Sequence, residues 1–159
     1  YALHLRPTLP MHQPSVCDSA PLKIFLLPLN LEENVKLCGV THTPFLEMKK
    51  AKVFVLSSFY EGFPNVLCEA MHAGLPCIST RCECGPSELI DDGRSGFLVP
   101  IGNVDVLSEK IMALIEDENL RNELGKNAEI ATERLKLETI CRKWRELAYS
   151  VCGKELKNE

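Results

Sequence analysis

The stretch AKVFVLSSFYEGFPNVLCEAMHAGLPCIST, residues 51–80, decides the fold. KVFVLSS (52–58) is apolar on both faces, the pattern of a buried strand in a parallel sheet. The loop YEGFP follows and turns into a helix expected over 65–72, which Gly74 ends. LPCIST (75–80) is a second strand. Strand, loop, helix and strand within thirty residues form one crossover unit, whose parallel strands place both outgoing loops on the same edge of the sheet.

The pattern continues on either side. VKLCGV (35–40) reads as a strand and residues 44–51 as a short helix, with Pro44 suited to its first turn. After residue 80 come a loop, a short helix over 86–92 and a last strand, GFLVP (96–100). Four strands alternating with helices argue for a parallel, doubly wound α/β sheet. Beyond it, Val104, Leu107, Ile111, Leu114 and Ile115 mark one face of a helix. Leu120, Leu124 and Ala131 mark a second helix, and Ile140, Trp144, Leu147 and Val151 a third. Five of the ten prolines fall in residues 1–28, which read as a leader or linker, and residues 153–159 as a polar tail. The expected organisation is therefore one Rossmann-like unit over 29–152 between two irregular ends.

Composition excludes several function classes. With 18 Lys and Arg against 22 Asp and Glu, the chain of 159 residues has no positive excess to hold nucleic acid or an anionic membrane surface. No apolar run approaches the roughly 18 residues of a membrane span. Of the eight cysteines, Cys38, Cys68 and Cys77 lie in apolar stretches, where thiols serve as small hydrophobes, so reduced thiols and a cytoplasmic setting are expected. Cys82 and Cys84 in RCECG form half a zinc site at most, and no second Cys/His pair at short spacing completes it; no metal is expected.

Ligands of such sheets bind in the loops beyond the carboxyl ends of the strands. The richest of these is residues 57–69, where Gly62 and Pro64 fix a turn into the helix. Free N–H groups at Asn65, Val66 and Leu67, backed by the helix dipole, would form an anion site suited to a phosphate or diphosphate. Glu69 sits about one turn inside that helix, where it either serves the dipole or binds a ligand. Glu61, a carboxylate beside an anion site, is useful there only if it binds hydroxyls. The turn at Gly85, Pro86, Ser87 and Glu88 reads as a structural, Pro-started helix N-terminus.

Glu61 and Glu69, separated by seven residues with Gly-Phe-Pro-Asn after the first, resemble the Glu-x7-Glu signature of retaining GT-B glycosyltransferases of family 4, the glycosyl transferases group 1. The resemblance spans about residues 29–144 and covers their donor-binding domain, the C-terminal half of the GT-B fold. It implies Glu61 at the catalytic centre, accepting hydrogen bonds from donor-sugar hydroxyls, with the Gly62 and Phe63 amides holding the sugar beside Pro64. It implies the diphosphate on the Asn65, Val66 and Leu67 amides, the ribose hydroxyls on Glu69, and the nucleobase near Gly39 and Val40. The substrate implied is a nucleotide-sugar, UDP favoured over GDP, with no metal and no other cofactor, and the acceptor a glycan or lipid-linked glycan. A membrane-peripheral location of a longer protein would fit such an acceptor. The family's first strand–helix units, its Gly-rich turn, its Arg and Lys clamp and its acceptor domain have no counterpart before residue 29. Together with the start at Tyr1, this predicts a truncated unit, inactive alone. The alternative is a non-catalytic nucleotide-sugar-binding or assembly module.

Overall fold

The computed structural model describes residues 4–5, 27–36, 38 and 40–152. Gly39, the rest of the Pro-rich segment and residues 153–159 lie outside the described residues. In chain order the strands are β1 (His4–Leu5), β2 (Val35–Lys36), β3 (Phe54–Leu56), β4 (Cys77–Thr80) and β5 (Phe97–Val99). The helices are α1 (Pro44–Met48), α2 (Asn65–His72), α3 (Pro86–Leu89), α4 (Val104–Glu116), α5 (Glu118–Thr132) and α6 (Leu137–Cys152), with single 3-10 turns at Leu27–Leu29 and Glu133–Leu135.

The central sheet is parallel, in the order β3-β4-β5. Its register places Phe54 beside Cys77 and Leu56 beside Ser79, then Ile78 beside Phe97 and Thr80 beside Val99. Successive side chains of a strand point to opposite faces, and here both faces are covered. Phe54, Leu56, Cys77 and Leu98 pack with Leu67, Ala70 and Met71 of α2 and Ala128 of α5. Val53, Val55, Ile78, Phe97 and Val99 pack with Leu107, Ile111 and Leu114 of α4 and with Leu120 and Leu124 of α5. This is the doubly wound α/β arrangement that the two-faced apolar pattern of 52–58 predicts. Burying each of Leu67, Met71, Ile78 and Leu114 completely contributes about 1.5–3 kcal/mol.

Local signals set the element ends. α2 closes in a Schellman turn, with the Leu75 N–H bonded to the Ala70 carbonyl and the Gly74 N–H to that of Met71. The Asn103 and Asp117 side chains accept from the N–H groups of Val106 and Leu120 and so cap α4 and α5. α3 ends at Leu89 rather than residue 92, because Ile90 turns extended and the Ser95 hydroxyl accepts the Asp91 N–H.

Two expectations need correction, and a third helix forms as expected but with its apolar face exposed. The fourth strand does not join the parallel sheet: Val35–Lys36 pairs antiparallel with His4–Leu5. Two residues, one of them the exposed Lys36, carry too little apolar surface to extend a buried sheet. The proline-rich segment thus contributes a strand. In α4, Val104 and Ile115 are exposed and only Leu114 of the predicted face is fully buried. The apolar face of α6 exists but is uncovered: Trp144 is 67% exposed and Leu147 and Val151 are exposed with it. Among the described residues, no helix is long and apolar enough to cross a membrane.

Candidate functional site

Because β3 and β4 are parallel neighbours, the loops after Leu56 and Thr80 leave the same edge of the sheet. The first loop carries residues 57–64 into α2. Pro64, its last residue, adopts φ −79° and ψ 84°, the inverse γ-turn conformation, and the Asn65 N–H bonds back to the Phe63 carbonyl at 3.0 Å. The Leu67 and Cys68 N–H groups both bond to the Pro64 carbonyl, at 3.0 and 3.2 Å.

Of the three amides predicted to be free, only that of Val66 has no hydrogen-bond partner among the described residues. The physical reason is Pro64 at the cap position. Proline has no side-chain oxygen to cap the helix, so backbone carbonyls fold back onto the first-turn donors. The helix dipole remains. Asn65, Val66 and Glu69 are exposed on one side of α2, while Leu67, Ala70 and Met71 are buried on the other. Glu69 therefore faces solvent, with no hydrogen bond among the described residues. Its charge acts on the neighbouring half-buried Cys68, whose thiol is pushed up first by burial and then by Glu69, against a downward pull from Arg134.

Glu61 is half-buried and accepts a 2.6 Å hydrogen bond from the Ser58 hydroxyl. Gly62 is exposed, with open space where a Cβ would stand, so a ligand can approach its backbone. Phe63 is half exposed, and the Phe59 and Tyr60 rings project outward at 78% and 73% exposure. Val40 is exposed as well. The structure thus brings Glu61, Gly62, Phe63, Asn65, Val66 and Glu69 to the sheet edge, whereas Pro64 and Leu67 are buried supports beneath them.

The second loop braces the first. Gly85 has φ +82°, and a Cβ there would overlap Pro64 Cδ and lie 2.9 Å from the Gly62 carbonyl oxygen. Buried Pro86 follows and starts α3. The turn at Gly85 thereby seats Pro64. The Thr80 hydroxyl donates to the Ser58 carbonyl, a link that sequence reasoning missed. Ser58 stands three residues before Glu61, but in a loop without regular periodicity that spacing does not by itself show that the two side chains meet. In the second loop Cys82 is 3% exposed and Cys84 is exposed, so the two thiols do not face one ligand. Among the described residues no three His, Cys, Asp or Glu side chains converge on a metal-sized point. The described cysteines are free thiols; buried Cys77 is pushed far up by desolvation.

Residues 18–130 match the model of the family described as glycosyl transferases group 1. The chain is 35% identical over 127 residues to an exopolysaccharide phosphotransferase of Streptomyces coelicolor, covering 79% of this chain and 14% of that protein. It is also 35% identical over 116 residues to the poly(ribitol-phosphate) alpha-N-acetylglucosaminyltransferase of Staphylococcus aureus, covering 72% of this chain and 24% of the enzyme. The crystal structure of Anabaena HepE in complex with UDP superposes with a TM-score of 0.78 at 29% identity, over 82% of this chain and 36% of HepE. The chain therefore spans well under half the length of each of these relatives. With the family model covering most of its length and its sheet built as in that UDP-bound relative, the chain belongs to the glycosyl transferases group 1.

Proposed function

We propose that residues 29–152 form the donor-binding part of a retaining glycosyltransferase that uses a nucleotide-sugar, UDP favoured over GDP, and transfers the sugar to a glycan or lipid-linked glycan. The observation that carries this reading is the placement of Glu61 and Glu69 on either side of the α2 N-terminus at one sheet edge. A helix N-terminus favours a diphosphate through its dipole, while flanking carboxylates repel phosphate and suit neutral hydroxyls. Glu61 then takes the sugar hydroxyls and Glu69 those of the ribose. The Val66 amide meets the diphosphate directly; the Asn65 amide, held only in a tight γ-turn, is released to a stronger anionic acceptor. HepE solved with UDP and with UDP-glucose supports a uridine donor.

Retention in this reading proceeds by front-face attack within one site. The leaving diphosphate gains stabilisation from the α2 dipole as charge develops. The 159 residues alone are expected to bind donor without turning it over, because they span 36% or less of each of the three relatives described above.

Ligand-observed NMR titration of the chain with UDP, GDP and UDP-glucose tests the assignment. Glu69→Ala is expected to weaken UDP and UDP-glucose alike by about tenfold, the worth of a hydrogen bond to a charged group. Glu61→Ala is expected to weaken UDP-glucose and leave UDP unchanged. Unchanged nucleotide affinity in Glu69→Ala removes the ribose role, and a Glu61→Ala loss confined to free UDP removes the sugar role. Robust turnover by the chain alone, with product identified, overturns the division of labour.

A further inference from the structure

Glu61 sits in a loop with little packing to fix it, since Phe59 and Tyr60 beside it project into solvent. Yet a carboxylate that selects among sugar hydroxyls must be held to a fraction of an ångström. The structure supplies a chain of hydrogen bonds for this. The β3–β4 ladder ends at the pair Leu56 and Ser79, so the Ser58 carbonyl lies beyond the reach of backbone pairing. The Thr80 hydroxyl, on the last residue of β4 and 5% exposed, donates to that carbonyl and stands 3.4 Å from the Leu56 carbonyl. The Ser58 hydroxyl in turn donates to Glu61 Oε1 at 2.6 Å. One end of the chain is a buried strand residue and the other is the carboxylate.

We infer that Ser58 and Thr80 are positioning residues for donor-sugar recognition: Thr80 ties the exit of β3 to the end of β4, and Ser58 orients the Glu61 carboxylate. With Oε1 engaged by Ser58, Oε2 is left to accept from a ligand hydroxyl. A short bond to a charged acceptor is also stronger than a neutral one and restricts the side-chain rotamer of Glu61. Neither residue touches the donor in this scheme. The inference rests on the sugar-binding role of Glu61 proposed above, and the test separates the two.

The test compares dissociation constants for UDP-glucose and UDP by ligand-observed NMR on folded variants checked by circular dichroism. Ser58→Ala is expected to weaken UDP-glucose about fivefold, as loss of one charge-assisted hydrogen bond would, with UDP unchanged. Ser58→Thr, which keeps the hydroxyl, restores the affinity. In a Glu61→Ala background, Ser58→Ala adds nothing, because its effect runs through the carboxylate. Thr80→Val gives the same selective loss and Thr80→Ser recovers it; if the valine variant does not fold, the serine series at position 58 still decides. A Glu61→Ala loss without a Ser58→Ala loss overturns the positioning role and leaves the role of Glu61 standing. Additive losses in the double variant overturn it too. No selective loss in Glu61→Ala removes the reading on which it rests.

Discussion

Replacing Gly85 by alanine puts a single methyl group between the two loops that form the site. Two costs follow from the geometry. At φ +82° and ψ −73° the backbone lies in a region that L-residues avoid, costing about 1–3 kcal/mol. The added Cβ also overlaps the Pro64 ring, with Cγ at 3.2 Å, and approaches the Gly62 carbonyl oxygen to 2.9 Å. Neither neighbour can rotate away: one is a buried ring and the other main chain. Relieving such a contact by backbone movement costs about 1–3 kcal/mol, and the smaller unfolded-state entropy of alanine returns about 0.4–1 kcal/mol. The expected net destabilisation is about 2–4 kcal/mol, a fall in melting temperature of about 5–15 °C for a domain of this size. Far-UV circular dichroism during heating and in urea measures it, since Trp144 is exposed and reports poorly on the core. Because relief comes by displacing the turn at residues 62–64, donor affinity should fall along with stability. A second variant apportions the two costs. Pro64→Ala removes the ring atoms that the new methyl meets, so Gly85→Ala should cost less in that background, with a coupling of about 1 kcal/mol. A Gly85→Ala protein with the parental midpoint would refute the close packing of the two loops. An equal cost in both backgrounds would remove the Pro64 ring as a cause and leave backbone strain and the Gly62 carbonyl contact.

Two further perturbations test the fold beneath the site. Gly125, within α5, should gain about 1 kcal/mol on mutation to alanine by helix propensity alone. Its Cβ, however, would overlap the Gly74 carbonyl oxygen and reach within 3.4 Å of Pro76 Cδ, so urea denaturation should instead show a loss of about 1–2 kcal/mol; a gain would mean that α5 and the end of α2 are not in contact. Asp117→Ala deletes the acceptor of the Leu120 N–H at the start of α5 and should cost about 1 kcal/mol by the same assay, with Asp117→Asn losing much less.

What the sequence made legible is what short-range physics specifies. α2 runs over the expected residues because Pro64 and Gly74 bracket it, and neither prefers a helix interior. The sheet was legible because the unbroken apolar run at 53–56 leaves no polar face on the strand. The pairing of Val35–Lys36 with His4–Leu5 was not, since strands of two residues have no period to detect and their partners are thirty residues apart. For α6, the apolar repeat of Ile140, Trp144, Leu147 and Val151 was plain, but a repeat shows that a face wants burial and not that anything covers it. Within the site, Glu61 and Glu69 were legible as a motif, while the bonds that hold Glu61 were not. Thr80 and Ser58 are 22 residues apart, and only the parallel register brings them together.

That register also explains why the site depends on β4 although no residue proposed to touch the donor lies on it. Three contacts cross from the exit of β4 to the exit of β3. They are the Thr80 hydroxyl on the Ser58 carbonyl, the Gly85 backbone against Pro64, and the approach of Gly85 to the Gly62 carbonyl. Each fixes a different part of the loop: its start, its turn into α2, and the amide segment between. Residues that contact a ligand are exposed by necessity and cannot hold themselves in place by burial, so their geometry has to be set by neighbours that are buried. Here those neighbours are Thr80, Pro64 and Gly85, all buried and all within or against the second crossover unit. Substitutions of Thr80 and Gly85 are thus expected to alter donor recognition through the position of the Glu61 loop rather than through any lost contact with the donor.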